Sequence, residues 1–306
     1  MAGRKNGKLT HTTSQLFNFT RDSYLERTSR PIYAIVFLLP FIVFYEIGTV
    51  LLSMDLPDHA QVRVLAFAWL QDVLRLGTGN KFAWIAPPLV VVVILLSLQV
   101  ASRKPWWFCP RDYVPMLFEC ILLAVPLIIL SLFFNSPVVR PGASGGDGAP
   151  FAARADVVWA EPGIAAGGGG LSVAQSVSGT ADQSLIANIV TSVGAGIYEE
   201  LVFRLILICA LMVLFQDIAG VDHRNAIILS VLISSALFSA HHHHILFIDG
   251  QFGRGAAFSW TEFVFRTVAG VYFAGLFAVR GFGITAGTHA FYDIIATILN
   301  AFFFPR

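Results

Sequence analysis

Long apolar runs are the feature that most constrains how this chain can fold. A membrane-spanning helix needs roughly 20 consecutive, mainly apolar residues. The sequence contains such runs at about 32–52, 82–100, 116–134, 185–215, 226–248, 263–279 and 284–304. A further segment, 61–76, is amphipathic, which is typical of a helix that lies in the membrane interface or dips into it. This pattern predicts an all-α, polytopic membrane helix bundle of seven to eight transmembrane helices.

The composition agrees with a membrane protein and argues against a nucleic-acid partner. Hydrophobic residues make up 56% of the 306 residues and charged residues only 13%, with a mean hydropathy of +0.71. Soluble domains carry about twice that charged fraction. The formal net charge is only +1, so the chain lacks the basic surface that nucleic-acid binding requires. The lipid bilayer is the partner that this composition predicts.

The distribution of Lys and Arg predicts how the chain is oriented. The segment 1–30 is polar and basic, and the apolar run that follows it is long enough to span a membrane. We therefore expect no removable signal peptide. Because cytoplasmic segments are enriched in Lys and Arg, this tail is predicted to lie in the cytoplasm. The chain is predicted to be a multi-pass protein of a bacterial-type plasma (inner) membrane.

The same pattern divides the chain into regions. Residues 1–30 form the basic cytoplasmic tail, and residues 31–134 carry the first membrane helices. Residues 135–184 are low-complexity and rich in Gly, so we expect a flexible insertion there. Residues 185–306 carry the remaining spans and nearly all of the notable polar residues within spans. Chemistry is therefore expected in the last region, which we interpret as the catalytic membrane core.

The fourth apolar run places three charges where lipid makes them costly. It reads "TSVGAGIYEELVFRLILICALMVLF" and contains Glu199, Glu200 and Arg204. Glu200 and Arg204 are four residues apart and share a helix face, which favours an ion pair. Glu199 lies about 100° around the helix from Glu200, so it is a candidate general base. The alternative is that all three residues form one structural ion-pair cluster between helices.

Two histidine groups follow in later spans. The fifth run ends in "SALFSAHHHHILFIDG", where Phe238 and His242 are four residues apart and share a helix face. If the helix continues through Ile248, His242 lies about 10 Å before its end. Taken alone, this cluster is better explained by histidines near a loop that are solvated or bind metal adventitiously. The seventh run contains "THAFYD", where His289 and Asp293 are four residues apart. That pair either belongs to a site or satisfies itself within the bundle.

Taken in order, these residues resemble the motifs of a protease family. "EELVFR", "FSAHH" and "HAFYD" are similar to the EExxxR, FxxxH and HxxxN/D motifs of the CPBP family. These are the CAAX prenyl endopeptidase and bacteriocin-processing intramembrane proteases, also called Abi or type II CAAX proteases. The resemblance covers about 193–300 and does not extend to the first three spans or the Gly-rich insertion. It implies an intramembrane endopeptidase.

The resemblance also implies a role for each matching residue. Glu199 corresponds to the water-activating glutamate, and His242 to the histidine of the second motif. His289 and Asp293 correspond to the third motif, which is thought to stabilise the oxyanion. Because a carboxylate accepts but does not donate hydrogen bonds, Asp293 is interpreted as the residue that orients His289. The resemblance gives supporting roles to Glu200 and Arg204, the rest of the first motif. His241 is a further supporting candidate, because it matches the second motif in place of His242 if Leu237 replaces the Phe of that motif.

The resulting prediction is hydrolysis of a peptide bond in a membrane-associated protein or peptide substrate, with or without a lipid. Water would be activated by Glu199 and His242, and no cofactor is required. Zinc is the alternative, with Glu199, His242 and His289 as ligands, since these are the ligand types of catalytic zinc sites. Two further alternatives are a non-catalytic scaffold or immunity-type protein that uses the same polar core, and a haem held by two histidines.

Overall fold

The computed structural model describes residues 19–20, 22–54, 61–78, 86–134, 157–160, 181–243 and 258–303. Helices dominate this part of the chain, and the fold class predicted from the sequence, an all-α membrane helix bundle, is confirmed. The helices are α1 (Tyr24–Thr28), α2 (Pro31–Met54), α3 (Leu65–Thr78), α4 (Ala86–Ser102), α5 (Tyr113–Phe134), α6 (Ala181–Glu200), α7 (Ile208–Met212), α8 (His223–His241), α9 (Trp260–Arg280) and α10 (Phe282–Phe303).

Six helices in the described residues are long and apolar enough to cross a membrane. They are Pro31–Met54, Pro110–Phe134, Leu185–Ile218, His223–His241, Trp260–Arg280 and Phe282–Phe302. The predicted span at 82–100 corresponds to α4, whose apolar part Pro87–Ser102 is shorter than these six. Residues 82–85 lie outside the described part of the chain. The count of seven to eight spans therefore stays a prediction.

The amphipathic segment after the first span is not helical throughout. Gln61–Val64 forms a strand, β1, and the helix α3 begins only at Leu65. β1 pairs in antiparallel fashion with β2, Val157–Ala160, with Val62 opposite Trp159. β2 belongs to the predicted Gly-rich insertion, whose residues 135–156 and 161–180 lie outside the described residues. The helix α6 begins at Ala181, and the extent of the insertion stays a prediction.

The central helix of the bundle is α10. In its most apolar stretch of 18 residues, 72% of the residues are buried inside the protein. In the corresponding stretches of the other five spans, only 22–39% are buried. Gly196 of α6 shows how closely its neighbour approaches. A Cβ atom at Gly196 would lie 2.6 Å from the backbone nitrogen of Ala290 and 2.8 Å from the carbonyl oxygen of Ala286. A side chain at Gly196 would therefore push α6 and α10 apart.

Two helices depart from the geometry that the sequence interpretation assumed. The chain continues from α6 as a π-helical segment, Leu201–Leu207, so Arg204 lies in a wider turn than that of an α-helix. The fifth span was expected to continue to Ile248, but α8 ends at His241. His242 is its C-cap residue, with φ −81° and ψ −5°. His242 therefore lies at a helix end, not about two turns inside the helix.

Candidate active site

The structure brings together every residue that the sequence assigned to a site. α6 and the π-helical segment contribute three of them, the end of α8 two, and α10 the remaining two. Each is at most 7% exposed, which is unusual for ionisable side chains in a membrane bundle unless they pair with one another or function. These buried residues are Glu199, Glu200, Arg204, His241, His242, His289 and Asp293.

Glu199 faces two histidines with one oxygen atom. Its Oε2 atom lies 3.6 Å from Nε2 of His242 and 3.9 Å from Nε2 of His289. Both separations exceed a direct hydrogen bond, and contacts of this length are commonly bridged by a water molecule. The three side chains come from three different helices, so only the tertiary fold creates this arrangement.

The tautomer of His242 follows from its second contact. Its Nδ1 atom lies 2.9 Å from the carbonyl oxygen of Phe238, which can only accept a hydrogen bond. Nδ1 therefore carries the proton, and in the neutral ring Nε2 is an acceptor. The His242 ring also packs edge-on against the Phe238 ring, with centroids 4.9 Å apart. The shared helix face predicted for these two residues thus orients the nitrogen that faces Glu199.

His289 is held mainly by Glu200. Its Nδ1 atom lies 2.7 Å from Oε1 of Glu200, whereas Oδ2 of Asp293 lies 3.5 Å from the opposite nitrogen, Nε2. The ring of Phe273 stacks on the His289 ring at 4.6 Å and 21°. The sequence interpretation gave the orienting role to Asp293. In the structure Glu200 makes the short contact, because the two residues lie on packed helices and not on one.

Glu200 also pairs with Arg204, as the spacing predicted. Nε of Arg204 lies 3.1 Å from Oε2 of Glu200, and the guanidinium lies 4.2 Å from the centre of the Phe238 ring. Its Nη2 atom approaches the carbonyl oxygen of Gly270 at 3.5 Å. A single carboxylate therefore joins the arginine of the first motif to the histidine of the third.

His241 lies beside the site but faces other partners than Glu199. It packs against Trp69 of α3, with ring centroids 4.4 Å apart, and against Phe203, at 5.3 Å. Neither of its ring nitrogens has a hydrogen-bond partner among the described residues. Of the two histidines that the sequence left as alternatives, His242 is therefore the one with a nitrogen near Glu199.

Several aromatic residues of the site had no signal in the sequence. They are Trp69, Phe203 and Phe273, which cover the rings of His241 and His289. The chain contains 27 Phe, mostly in apolar runs, so spacing alone does not distinguish these rings from others that face lipid or pack in the core. Only the packing of the helices identifies them.

A second polar cluster joins the β1–α3 segment to the helix of the site. Arg63 of β1 lies 2.8 Å from Glu46 of α2, and the hydroxyl of Tyr198, next to Glu199 in sequence, donates a hydrogen bond to Glu46 at 3.2 Å. Burial works to lower the pKa of Arg63, but its interactions with Tyr45 and Glu46 outweigh burial and raise that pKa. Arg63 therefore stays charged and anchors β1 to α2.

The residues named as zinc ligands have donor atoms of the types that bind zinc, but in this structure they are not spaced to hold a metal ion. Glu199, His242 and His289 are oxygen and nitrogen donors of the types that bind zinc. Within the described residues, however, no group of three or more His, Cys, Asp or Glu side chains is arranged to hold a metal ion. Zinc thus remains an alternative for experiment, and the mechanism proposed below uses the side chains alone.

Comparisons with known proteins agree with the motifs. Residues 181–295 match the family model described as type II CAAX prenyl endopeptidase Rce1-like. This segment includes every residue of the site from Glu199 to Asp293. Searches of curated proteins and of solved structures found no match. The segment 181–295, which carries the buried cluster, is therefore similar to the Rce1-like family of type II CAAX prenyl endopeptidases.

Proposed function

We propose that this protein is an intramembrane endopeptidase that hydrolyses a peptide bond of a membrane-associated substrate. The observation that carries the proposal is the position of Glu199, whose Oε2 atom faces Nε2 of both His242 and His289 at 3.6 and 3.9 Å. A carboxylate base and two imidazoles around one point are the groups that water-mediated hydrolysis needs. The type II CAAX family match makes a prenylated CAAX peptide the first substrate to test.

In the proposed mechanism Glu199 is the general base. A water molecule lies between Glu199 and His242 and donates one hydrogen bond to the unprotonated Nε2 of His242. Glu199 takes the other proton, and the hydroxide adds to the carbonyl carbon of the scissile bond. Proton transfer by a positioned side chain typically accelerates such a step by about 10²–10⁴-fold.

His289 stabilises the negative charge that forms on the substrate oxygen. In its imidazolium form Nδ1–H donates to Glu200, and Nε2–H faces the oxyanion. A preorganised donor of this kind in a dry site contributes roughly 3–4 kcal/mol. When the C=O bond re-forms, the C–N bond breaks, and the proton held by Glu199 passes to the leaving amine. The products are the substrate shortened to a new C-terminal carboxylate and a released peptide that carries the new amine.

The first test is the variant Glu199→Gln, which keeps the shape of the side chain but removes the base. In detergent or proteoliposomes, with a farnesylated peptide ending in a CAAX sequence, kcat should fall about a thousandfold. Thermal stability should stay within a few degrees of wild type. Asp217→Asn is the matched control, because Asp217 is an exposed carboxylate near the end of the same long helix and should keep full activity.

If the protein is instead a scaffold or immunity-type protein, the Glu199→Gln substitution should leave its function intact. If Glu199→Gln protein retains full function in cells, catalysis at this site is not what the protein contributes. Proteomic comparison of membranes that contain wild-type or Glu199→Ala protein would identify the substrate, because uncleaved precursor should accumulate only with the variant. The haem alternative requires a Soret band in the purified protein.

Zinc dependence is decided by metal content together with activity. The side-chain mechanism expects purified protein without stoichiometric zinc, and activity that survives chelation. Loss of activity on chelation, with recovery on addition of zinc alone, would require Glu199, His242 and His289 to act as ligands. Elemental analysis of the protein before and after chelation gives a readout that does not depend on turnover.

The protein is proposed to lie in a bacterial-type inner membrane with its N-terminus in the cytoplasm. The six described helices of spanning length support an integral membrane protein. The orientation rests on the basic residues of the N-terminal tail, of which Arg27 and Arg30 lie in the described part of the chain. Labelling a cysteine in the N-terminal tail from each side of sealed vesicles would test this orientation.

A further inference from the structure

His241 is a buried polar side chain whose ring nitrogens make no hydrogen bond to the described residues. It is only 2% exposed, and neither Nδ1 nor Nε2 has a hydrogen-bond partner in the described part of the chain. Leaving a buried polar group unpaired costs roughly 1–3 kcal/mol, more than a net hydrogen bond is worth. A phenylalanine would fill the same space without that cost. The imidazole nitrogens therefore require an explanation other than packing.

Aromatic rings surround His241 next to the reacting groups. Trp69 and Phe203 cover the ring, with centroids 4.4 and 5.3 Å away. The ring of His242 also contacts His241, with ring centroids 5.1 Å apart and an angle of 89° between the ring planes. His242 is in turn 3.6 Å from Glu199, so the unpaired nitrogens lie one side chain away from the proposed catalytic centre.

The spacing matches that of a substrate backbone. The His241 and His242 rings are 5.1 Å apart, and an extended peptide advances about 3.3 Å per residue. A peptide with its scissile bond beside His242 would therefore pass His241 one or two residues further along. A neutral imidazole offers one donor and one acceptor, which complement the C=O and N–H of a peptide backbone. Inside a membrane protein such backbone groups need partners, because no bulk water is present to satisfy them.

We propose that His241 binds the substrate by accepting a hydrogen bond from a backbone N–H one or two residues from the scissile bond. This inference rests on the proposed function and adds a binding subsite to it. Trp69 forms the outer wall of the subsite, so α3 is part of the substrate-binding surface. The ligand class is an extended peptide with a free backbone N–H at that position. The interaction does not depend on which side chain the peptide carries there.

Binding, not turnover, is the measurement that isolates this role. The probe is a fluorescent farnesylated CAAX peptide, titrated into Glu199→Gln protein that cannot cleave it. Adding His241→Phe should weaken binding about tenfold, while thermal stability stays equal to or above that of the parent, because aromatic packing is kept and an unpaired polar group is lost. His241→Gln retains a donor and an acceptor and should bind within about threefold of the parent.

A modified peptide provides a second test that needs no change in the protein. Methylating, one at a time, the backbone nitrogens of the two residues on each side of the scissile bond should weaken binding about tenfold at one position. That loss should disappear in the His241→Phe protein, as a double-mutant cycle requires for a direct contact. Equal losses in both proteins, or unchanged binding by His241→Phe, would overturn the proposal.

Failure of this inference can be distinguished from failure of the proposed function. If Glu199→Gln protein binds the peptide and wild type does not cleave it, the proposed function fails and the His241 subsite is still measured. If wild type cleaves the peptide and His241→Phe alters neither KM nor affinity, only the subsite is wrong. If the peptide does not bind to the Glu199→Gln protein, the subsite is refuted as a peptide-binding element.

Discussion

Glu200 is the residue on which two parts of the site depend. One oxygen lies 3.1 Å from Nε of Arg204, and the other lies 2.7 Å from Nδ1 of His289. Arg204 is 1% exposed, so its charge needs a partner within the protein. The ion pair makes the arginine tolerable in the bundle, while the second oxygen fixes the histidine ring. A structural and a catalytic function thus meet in one carboxylate.

At this scale we predict that Glu200→Gln is destabilising in a way that a second substitution relieves. The single variant leaves a buried guanidinium unpaired, which typically costs about 3–5 kcal/mol. Glu200→Gln combined with Arg204→Met should recover most of that loss, because no buried charge remains. Unfolding in detergent measures the stability of the four proteins of the cycle.

Activity separates the two functions of Glu200. The double variant should be stable but slow, because the charge that supports the imidazolium form of His289 is still absent. A double variant that is both stable and fully active would show that Glu200 acts only as the partner of Arg204. The position of His289 would then need another explanation.

Among the secondary-structure elements, the contact between α6 and α10 decides whether the site forms. Glu200 and His289 come from these two helices, and Gly196 lies one turn before Glu200 where the helices approach most closely. The β1–α3 segment packs beside α6 through Arg63 and Glu46, so it carries Trp69 to His241. The geometry of the site therefore depends on how these elements pack against one another.

We predict that Gly196→Ala disrupts this contact. The added methyl group would meet the backbone of α10 at 2.6–2.8 Å, and backbone atoms cannot move aside without shifting the helix. The expected loss of stability is about 1–3 kcal/mol, with at least a tenfold fall in kcat as His289 moves away from Glu200.

Gly275→Ala on α9 is the matched control, because a Cβ atom there meets nothing within 4 Å. It should leave stability unchanged or raise it by up to about 1 kcal/mol. Equal effects of the two substitutions would contradict the close-packing argument.

For the molecule as a whole, the residues before the first span act as a clamp across one end of the bundle. Arg27 pairs with Asp112 near the start of α5 at 2.9 Å. Arg280, the last residue of α9, lies 2.8 Å from the hydroxyl of Thr28 and 2.5 Å from Glu119 of α5. The segment that the sequence described only as a basic tail therefore connects helices that are distant along the chain.

The clamp should make stability sensitive to acid. Burial acts to raise the pKa of Glu26, but the hydrogen bond from Arg30, at 2.6 Å, outweighs it and lowers that pKa below its ordinary value of 4.5. A lowered folded-state pKa contributes stability that is present above about pH 4.5 and is lost as pH falls through the folded value. Glu26→Gln should therefore lower the free energy of unfolding by about 1–2 kcal/mol at pH 7, and the difference from wild type should shrink below about pH 4.

Melting curves in detergent from pH 3 to pH 7 measure this difference in stability between Glu26→Gln and wild type. A pH-independent loss for Glu26→Gln would contradict the proposed ion pair.

The family resemblance and the local pairs of the site could be predicted from the sequence, because they depend on order and spacing along one chain. Glu200 and Arg204 pair as their spacing indicated, and Phe238 positions His242 although α8 ends before His242. The sequence pattern did not predict that α3 is preceded by a strand. β1 depends on a partner strand nearly 100 residues later, which no local pattern contains.

By itself, the sequence determined that this chain is a helical membrane bundle with a polar cluster in its last third. Apolar run length and local spacing are sufficient for that, since lipid tolerates little else than helices. Only the tertiary structure decided which atoms of the cluster meet: Glu200, and not Asp293, holds Nδ1 of His289 across 89 residues of chain. It also decided that His241 is enclosed by Trp69. The physical reason is that helix packing brings together residues whose separation in sequence carries no periodic signal.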